Sequence, residues 1–373
     1  MFARNAIASG FDAREVARQL EAGLSGDRLA FVVAFADWRV DPATLAHELQ
    51  RAMPAPVVGC TTIGVIGGGI GGGPATAAAI GFYGDWVRAG VGVARELPKS
   101  ALARSRDAVH DAARALDASV DELESGHHVA FTLVDGSCGH EEAFCIASAA
   151  SAPQIRMVGG SAATEPGSPR RSYVWAHGDA LVDAGVVVVL ESQLPFEAVT
   201  SSHLVASGTK TVVTAASGRT IDELDGRPAA TRLRELVGQL GDESRPSQYS
   251  FARFVDGVPY VRSITHIEGE RVHLACAVEV GHVLRLMRPG DLVGQTERDL
   301  AAVAQRLGGS LTALLAFSCI GRHWDAAARG LERPLADAYA AYPTTGFQSF
   351  GEQTGMLLVN HTLTALAIGV AKG

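Results

Sequence analysis

Two stretches of the chain share one unusual form, and their correspondence restricts the folds open to it. Val57-Val58-Gly59-Cys60-Thr61-Thr62-Ile63-Gly64 is an apolar strand that ends in small and hydroxyl residues. That composition suits a backbone brought close to another strand or to a ligand. Met157-Val158-Gly159-Gly160-Ser161-Ala162 has the same form later in the chain. Upstream of each lies a continuous apolar run ended by aspartate, Leu29–Phe35 before Asp37 and Val129–Val134 before Asp135, as expected of strands buried on both faces. A helix separates run and glycine stretch in both places. Asp41-Pro42 caps and opens the first, with Leu45, Leu49 and Met53 as its buried stripe, and the second covers roughly His140–Ala150. Downstream, Ile80–Asp85 and Tyr173–Asp179 each reach a Gly-Asp turn, and the apolar runs Val87–Val93 and Leu181–Val189 are expected to return as hairpins. Strand, helix, strand and hairpin thus form an internal duplication, with units at about 27–95 and 127–192.

A fainter third copy closes the chain. Leu311–Phe317 ends at Ser318-Cys319-Ile320-Gly321-Arg322, a helix is expected to run to Tyr342, and Gly346–Glu352 precedes a hairpin from Met356 to Val370. Residues 1–26 read as an N-terminal amphipathic helix on Val16, Leu20 and Leu24, and a charged helical segment, Leu97–Leu123, joins the two clear units. Ser, Thr and Gly accumulate over Gly208–Gly226, which puts a boundary between an N-terminal domain at 27–218 and a C-terminal domain at 219–373. Within the latter, Ala229–Leu240 reads as helix, Gly241–Gln248 as a polar loop, Val258–Ile267, Val272–Val278 and Val283–Leu286 as strands, and Asp291–Leu307 as helix. The fold class is α/β: two lobes with mixed β-sheets flanked by helices, the N-terminal lobe internally duplicated.

Composition removes several function classes. A net charge of -8 with no Lys/Arg-rich run argues against nucleic acid, since nothing neutralises phosphates. Neither a secretory h-region nor an apolar run of membrane-spanning length is present, so no membrane insertion and a cytoplasmic location are expected. The five cysteines are odd in number and scattered, which fits a reducing compartment.

Chemistry is expected where strands feed helices, because the free N–H groups of a helix start receive carboxylate or phosphate. Three such junctions are Asp37–Pro42, Asp135–Gly139 and Ser318–Arg322, with a plain turn or cap as the competing explanation of each. Arg262 and Arg322, in apolar settings, are the candidate cationic partners of an acidic ligand. Gly67–Gly73 contains a formal G-x-G-x-x-G, yet Pro74 follows and no acidic residue lies about twenty positions on, so a loop or lid is the better expectation than a dinucleotide site. Cys138, His140 and Cys145, with Glu141 and Glu142, do not have a standard zinc spacing. No C-x-x-C-H attaches haem covalently, but a single histidine holds haem without a local signature, which leaves His177, His266, His273, His282, His323 and His361 as candidates against the plainer role of hydrogen-bonded or surface histidine. No G-x-S-x-G elbow is present, and no cysteine carries a recognisable histidine and carboxylate pattern.

The ordered set of stretches resembles the FIST family, over about Asp27 to Val370. Its marks are Val58–Gly64, Val158–Ala162 and His177-Gly178-Asp179 in the N-terminal part, then Phe317–Arg322, Gly346–Glu352 and Asn360-His361-Thr362. The resemblance implies an N-terminal plus a C-terminal FIST domain in a sensory, signal-transduction input protein that binds a small ligand, with amino acids as the expected class. With no transmitter domain in the chain, it implies signalling in trans to a partner such as a histidine kinase or a cyclic-di-nucleotide enzyme. The expected ligand-binding set is Gly59, Cys60, Thr61, Gly159, Gly160, Ser161, Arg262, Cys319, Arg322, Gly351 and Glu352, in a cleft between lobes, with no catalytic residue. One branch of the family is associated with haem and nitric oxide, so a haem-binding nitric-oxide sensor is the alternative, with His177, His323 and His361 as candidate iron ligands. A cysteine-dependent hydrolase or transferase using Cys319 or Cys60 is a second alternative.

Overall fold

The computed structural model describes residues 2–67, 75–238, 249–255 and 257–370. Most of the expected Gly67–Gly73 lid and all of the Gly241–Gln248 loop lie outside the described residues. Three units build the body. The first comprises β1 (Ala3–Ala8), α1 (Ala13–Leu24), β2 (Leu29–Asp37), α2 (Pro42–Ala52), β3 (Val57–Thr62), β4 (Val65–Gly67) and β5 (Ala77–Tyr83). The second comprises β6 (Val87–Ala94), α3 (Leu97–Arg114), β7 (His128–Asp135), α4 (Glu141–Ser151), β8 (Arg156–Ala162), β9 (Val174–Ala176), β10 (Asp179–Leu181) and β11 (Gly185–Ser192). The third begins at β12 (Phe196–Ser202) and is interrupted by an insertion: β13 (Leu204–Ser217), β14 (Thr220–Leu224), β15 (Arg227–Pro228), α5 (Ala229–Gly238), β16 (Ser250–Val255), β17 (Val258–Glu268), β18 (Arg271–Leu274) and β19 (Val283–Pro289). It resumes with α6 (Leu292–Arg306), β20 (Leu311–Cys319), α7 (Ile320–Arg329), α8 (Glu332–Ala340), β21 (Thr344–Ser349), β22 (Glu352–Thr354), β23 (Leu357–Val359) and β24 (Thr362–Gly369).

The sheets run β1-β5-β2-β3-β9-β10, β6-β11-β7-β8-β22-β23 and β12-β24-β20-β21-β4, and the insertion forms a sheet of its own. In every unit the two central strands are parallel, β2 with β3, β7 with β8 and β20 with β21. Each glycine-ended strand then pairs with a short strand lent by another unit: β3 with β9, β8 with β22 and β21 with β4. Exchange closes the three units into a ring. Its centre is aromatic, with Phe131 packed between Phe31 and Phe317, and Phe347 between Phe317 and Phe35.

Several sequence expectations change. The hairpin expected across Gly84-Asp85 is absent, because β5 pairs in the first sheet while β6 pairs with β11 in the second. Leu181–Val189 divides likewise between β10, paired with β9, and β11, paired with β7 and β6. Leu97–Leu123 is no linker, since α3 is the first helix of the second unit and lies on β6, where Gly90 and Gly92 let it approach. A Cβ at Gly92 would stand 1.8 Å from the Ala108 carbonyl oxygen. Residues 1–26 contain β1 as well as α1, and the single helix expected up to Tyr342 is broken at Gly330, whose φ of 65° is left-handed. β12 pairs with β24 at the far end of the chain.

The glycines of the repeated stretch serve this packing. A Cβ at Gly59 would lie 1.7 Å from the Ala34 carbonyl oxygen and 2.6 Å from the Trp175 indole. Gly59→Ala is therefore expected to cost about 3 kcal/mol or more, or to leave the protein insoluble. Gly126→Ala, where nothing lies within 4 Å, should stay within about 0.5 kcal/mol of the parent in urea denaturation.

Candidate functional site

The final residues of β2, β7 and β20 occupy corresponding register positions, Asp37 opposite Thr62, Asp135 opposite Ala162 and Cys319 opposite Ser349. Their surroundings differ. Asp37 is clasped by Arg39 through two 2.8 Å contacts. Asp135 takes bonds from Ser172 (2.6 Å), Ser137 (2.6 Å) and Arg171 (3.1 Å). These ion pairs fill the first two junctions. The third carries a thiol and borders a cavity of about 720 Å³.

Three parts of the fold wall that cavity. The second unit supplies Gly136, Glu141, Ser161, Pro166 and Gly167, and the insertion supplies Arg219, Ser263, Thr265, His266 and Leu274. From the third unit, α7 presents Gly321, Trp324, Asp325 and Ala328, the spacing of one helical face. Cys319, Phe350, Asn360 and His361 complete the lining. Trp324 is 53% exposed and stands among apolar neighbours such as Ile320 and Pro289.

Polar atoms without partners cluster at one side. His203, between β12 and β13, lies with Nε2 3.0 Å from Asp325 Oδ2, and Arg329 reaches the same oxygen at 2.9 Å. Burial lowers the His203 pKa against the pull of Asp325, with the Arg322 charge adding to the lowering. The ring is accordingly neutral at pH 7, Nε2–H donates to the carboxylate, and Nδ1 remains an acceptor. Burial tends to raise the Asp325 pKa, but the His203 bond and the Arg329 charge outweigh it and hold the carboxyl below its usual range. Both His203 Nδ1 and Asp325 Oδ1 are buried without a partner, as is Ser161 Oγ. Elsewhere on the wall Arg219 bonds Glu141 at 2.6 Å, so the cavity offers a guanidinium as well as acceptors.

His361 joins β23 to β24 with a left-handed φ of 51°. Its ring lies on Gly321, where a Cβ would fall 2.6 Å away, and Nδ1 is 2.6 Å from Ser263 Oγ. Burial pushes its pKa down to about 3, so it too is neutral. Glu352 is fully buried, and Ser349 and Thr362 each donate to it at 2.6 Å. Burial lifts its pKa to about 8 despite those bonds, which keeps it protonated at neutral pH. The Cys319 thiol meets this carboxyl and the N–H groups of Gly321 and His361, and burial with the Glu352 charge pushes its pKa well up.

Of the residues expected from sequence, Ser161, His266, Cys319 and His361 line the cavity. The others stand elsewhere. Cys60 is buried in the central core, and Thr61 accepts the Tyr173 N–H at 2.9 Å, tying down the segment before β9. Gly159 packs on Thr132 and Gly160 on Phe347 and Phe317. Gly351 lends its carbonyl to Ser161 N–H at 2.8 Å, and Glu352 supports Cys319 from below. Arg262 donates to the Leu358 carbonyl at 3.0 Å, fastening β17 to β23, and Arg322 is fully buried beside Thr296. His177 sits in the turn between β9 and β10, and His323 borders a separate groove with Ser318 and Tyr339. Among the described residues no cluster of three His, Cys, Asp or Glu side chains is fit for a metal ion, Cys138, His140 and Cys145 included. His203, Arg219, Trp324 and Asp325 were not foreseen. An aspartate on the α7 face that also carries Gly321 and Ala328 was the available signal for one of them.

The two shifted groups set a pH profile. Glu352 binds its proton more tightly folded than unfolded, so its contribution is complete below pH 4.5 and lost as pH rises through about 8. His361 binds its proton less tightly folded, so its contribution is complete above pH 6.5 and lost as pH falls through about 3. Denaturant titrations across pH should show Glu352→Gln flattening the alkaline limb and His361→Asn, which keeps a residue tolerant of positive φ, flattening the acid limb, each by up to ~4 kcal/mol. An alkaline limb unchanged in Glu352→Gln would contradict the assignment. Burial also pushes the Cys60 and Cys145 thiols well up, and those of Cys138 and Cys276 to about 12. Iodoacetamide at neutral pH is expected to label all five slowly, half-buried Cys138 first; rapid labelling of Cys319 would restore cysteine chemistry to consideration.

Comparison with known proteins gives the family. The FIST N domain profile matches residues 30–227 and the FIST C domain profile residues 229–354. No curated protein matches the chain at a significant level. A solved structure described as cyanuic acid hydrolase from A. caulinodans superposes over 99% of each chain at 10% identity, with a TM-score of 0.40. No helix among the described residues is long and apolar enough to cross a membrane. With both profiles in order over most of its length, the chain belongs to the FIST family of small-ligand sensory domains in signal transduction.

Proposed function

We propose that this protein is a sensory input whose ligand is a small zwitterion of the amino-acid class, bound in the cavity between the second unit, the third unit and the insertion. The observation that carries the proposal is the pair of buried acceptors without partners, Asp325 Oδ1 and His203 Nδ1, in a cavity that also holds the Arg219 guanidinium. An ammonium group answers the acceptors and a carboxylate answers the guanidinium, while Trp324 and its apolar neighbours receive the side chain. A ligand touching all three parts favours the arrangement in which they stand closest, which biases an equilibrium by its differential affinity. Output passes in trans to a partner such as a histidine kinase or a cyclic-di-nucleotide enzyme, in the reducing cytoplasm that five free cysteines suit.

Calorimetric titration with a panel of amino acids tests this. Saturable heat from at least one member is expected, with binding at least about tenfold weaker in Asp325→Asn. Absence of heat across the panel rejects the reading.

One observation favours haem as a second reading. Of His177, His323 and His361, only His361 lines the cavity, as a neutral imidazole fixed at Nδ1 by Ser263. It would ligate iron through Nε2, and the iron would supply gas binding. A defined Soret band on haem addition that disappears in His361→Ala supports it, and a band that survives the substitution removes it.

A further inference from the structure

Arg322 presents a separate problem from the cavity. It lies in the first turn of α7 with no exposed surface, and Nη2 donates to Thr296 Oγ1 at 2.6 Å. That hydroxyl is itself committed to the Leu292 carbonyl at 2.7 Å, so the guanidinium meets a neutral acceptor and nothing more. Nε and Nη1 have no partner, and no carboxylate among the described residues forms an ion pair with Arg322. The acid nearest along its helix, Asp325, gives Oδ2 to His203 and Arg329, and its unpartnered Oδ1 makes no ion pair with Arg322.

The surroundings add to the imbalance. The partial positive charge of a helix start opposes a cation placed there. His203 is neutral, and the Arg322 charge helps keep both it and His361 so. Strand alternation sends Ser201 to the same face of β12 as Val199, which packs with Leu292 and Leu300 of α6, the helix that also carries Thr296. Ser201 Oγ is likewise buried without a partner. A fully buried arginine with two idle N–H groups costs stability unless something accepts those bonds and balances the charge. Internal water meets the first need only. Enclosure restricts the occupant to a small ion.

We propose that the layer between β12 and the α6–α7 pair holds a buried monovalent anion of halide size, bound by Arg322 Nε–H and Nη1–H and by Ser201 O–H. It is distinct from the cavity, whose lining does not include Arg322, and stands whatever the cavity ligand proves to be.

Crystals grown in sodium bromide give the direct test, through anomalous difference maps. A bromide peak within hydrogen-bond distance of the Arg322 guanidinium is expected, and its absence overturns the proposal in favour of internal water. In solution, the melting temperature should rise with chloride concentration to saturation, relative to sodium gluconate at equal ionic strength. Ser201→Ala should shift the half-saturating concentration several-fold upward, and Arg322→Met should abolish the chloride response. Where Arg322→Met does not fold, the bromide map and Ser201→Ala decide the matter. A chloride response that is unchanged in Ser201→Ala and shows no bromide peak belongs to surface ions and overturns it equally.

Discussion

Everything in the ring rests on strand exchange. A glycine-ended strand at the edge of each unit would expose a row of unpaired N–H and C=O groups. In every unit that edge is covered by a short strand from another: β9 on β3, β22 on β8, β4 on β21. No unit completes its own sheet, so each borrows from one neighbour and lends to the other. Glycine is required because the strand is crowded from its faces as well as its edge, by Trp175 and the Ala34 carbonyl at Gly59 and by Phe347 and Phe317 at Gly160. The stretches that look most like a ligand cradle in sequence are thus the seams of the assembly.

Chemistry appears where the repetition fails. Two of the three corresponding strand ends carry an aspartate locked by arginine, and these junctions are structurally quiet. The third carries Cys319, with Glu352 protonated beneath it and neutral His361 beside it. The same unit accepts the insertion, whose β17 and β18 supply Ser263, His266 and Leu274 to the cavity wall. The candidate cavity thus borders the strand end at which the repeated aspartate is replaced.

Sequence disclosed the duplication, the faint third copy and the α/β class because apolar runs, caps and glycines act locally. It did not disclose which strands pair. The run after Gly84-Asp85 has the local form of a hairpin, and only the distant partner β11 draws β6 into another sheet. Residues of the candidate cavity were legible to a similar degree. Ser161, Cys319 and His361 belong to recurring stretches and could be singled out, whereas His203 sits in an unremarkable link and gains its meaning from Asp325, far along the chain. Arg322 was visible as a cation in an apolar setting, but whether it faced the cavity or the space behind it depended on the rotation of α7.

The insertion leaves β12 at Leu204 and returns at Pro289, and these two residues are direct partners in the β13–β19 ladder. Departure and return therefore share one paired stem, so the inserted sheet is covalently a pendant hung from a single point. Other ties to the body are non-covalent, among them Arg262 to the Leu358 carbonyl, Ser263 and Ser250 to His361, Cys276 and the Ser263 N–H to Asn360, Arg219 to Glu141, and the Ala277 N–H to Glu142. The pairs of Ser263 with His361 and of Arg219 with Glu141 are also cavity wall. An occupant of the cavity would touch these latches and the pendant together, so it would bear directly on bonds that position the sheet.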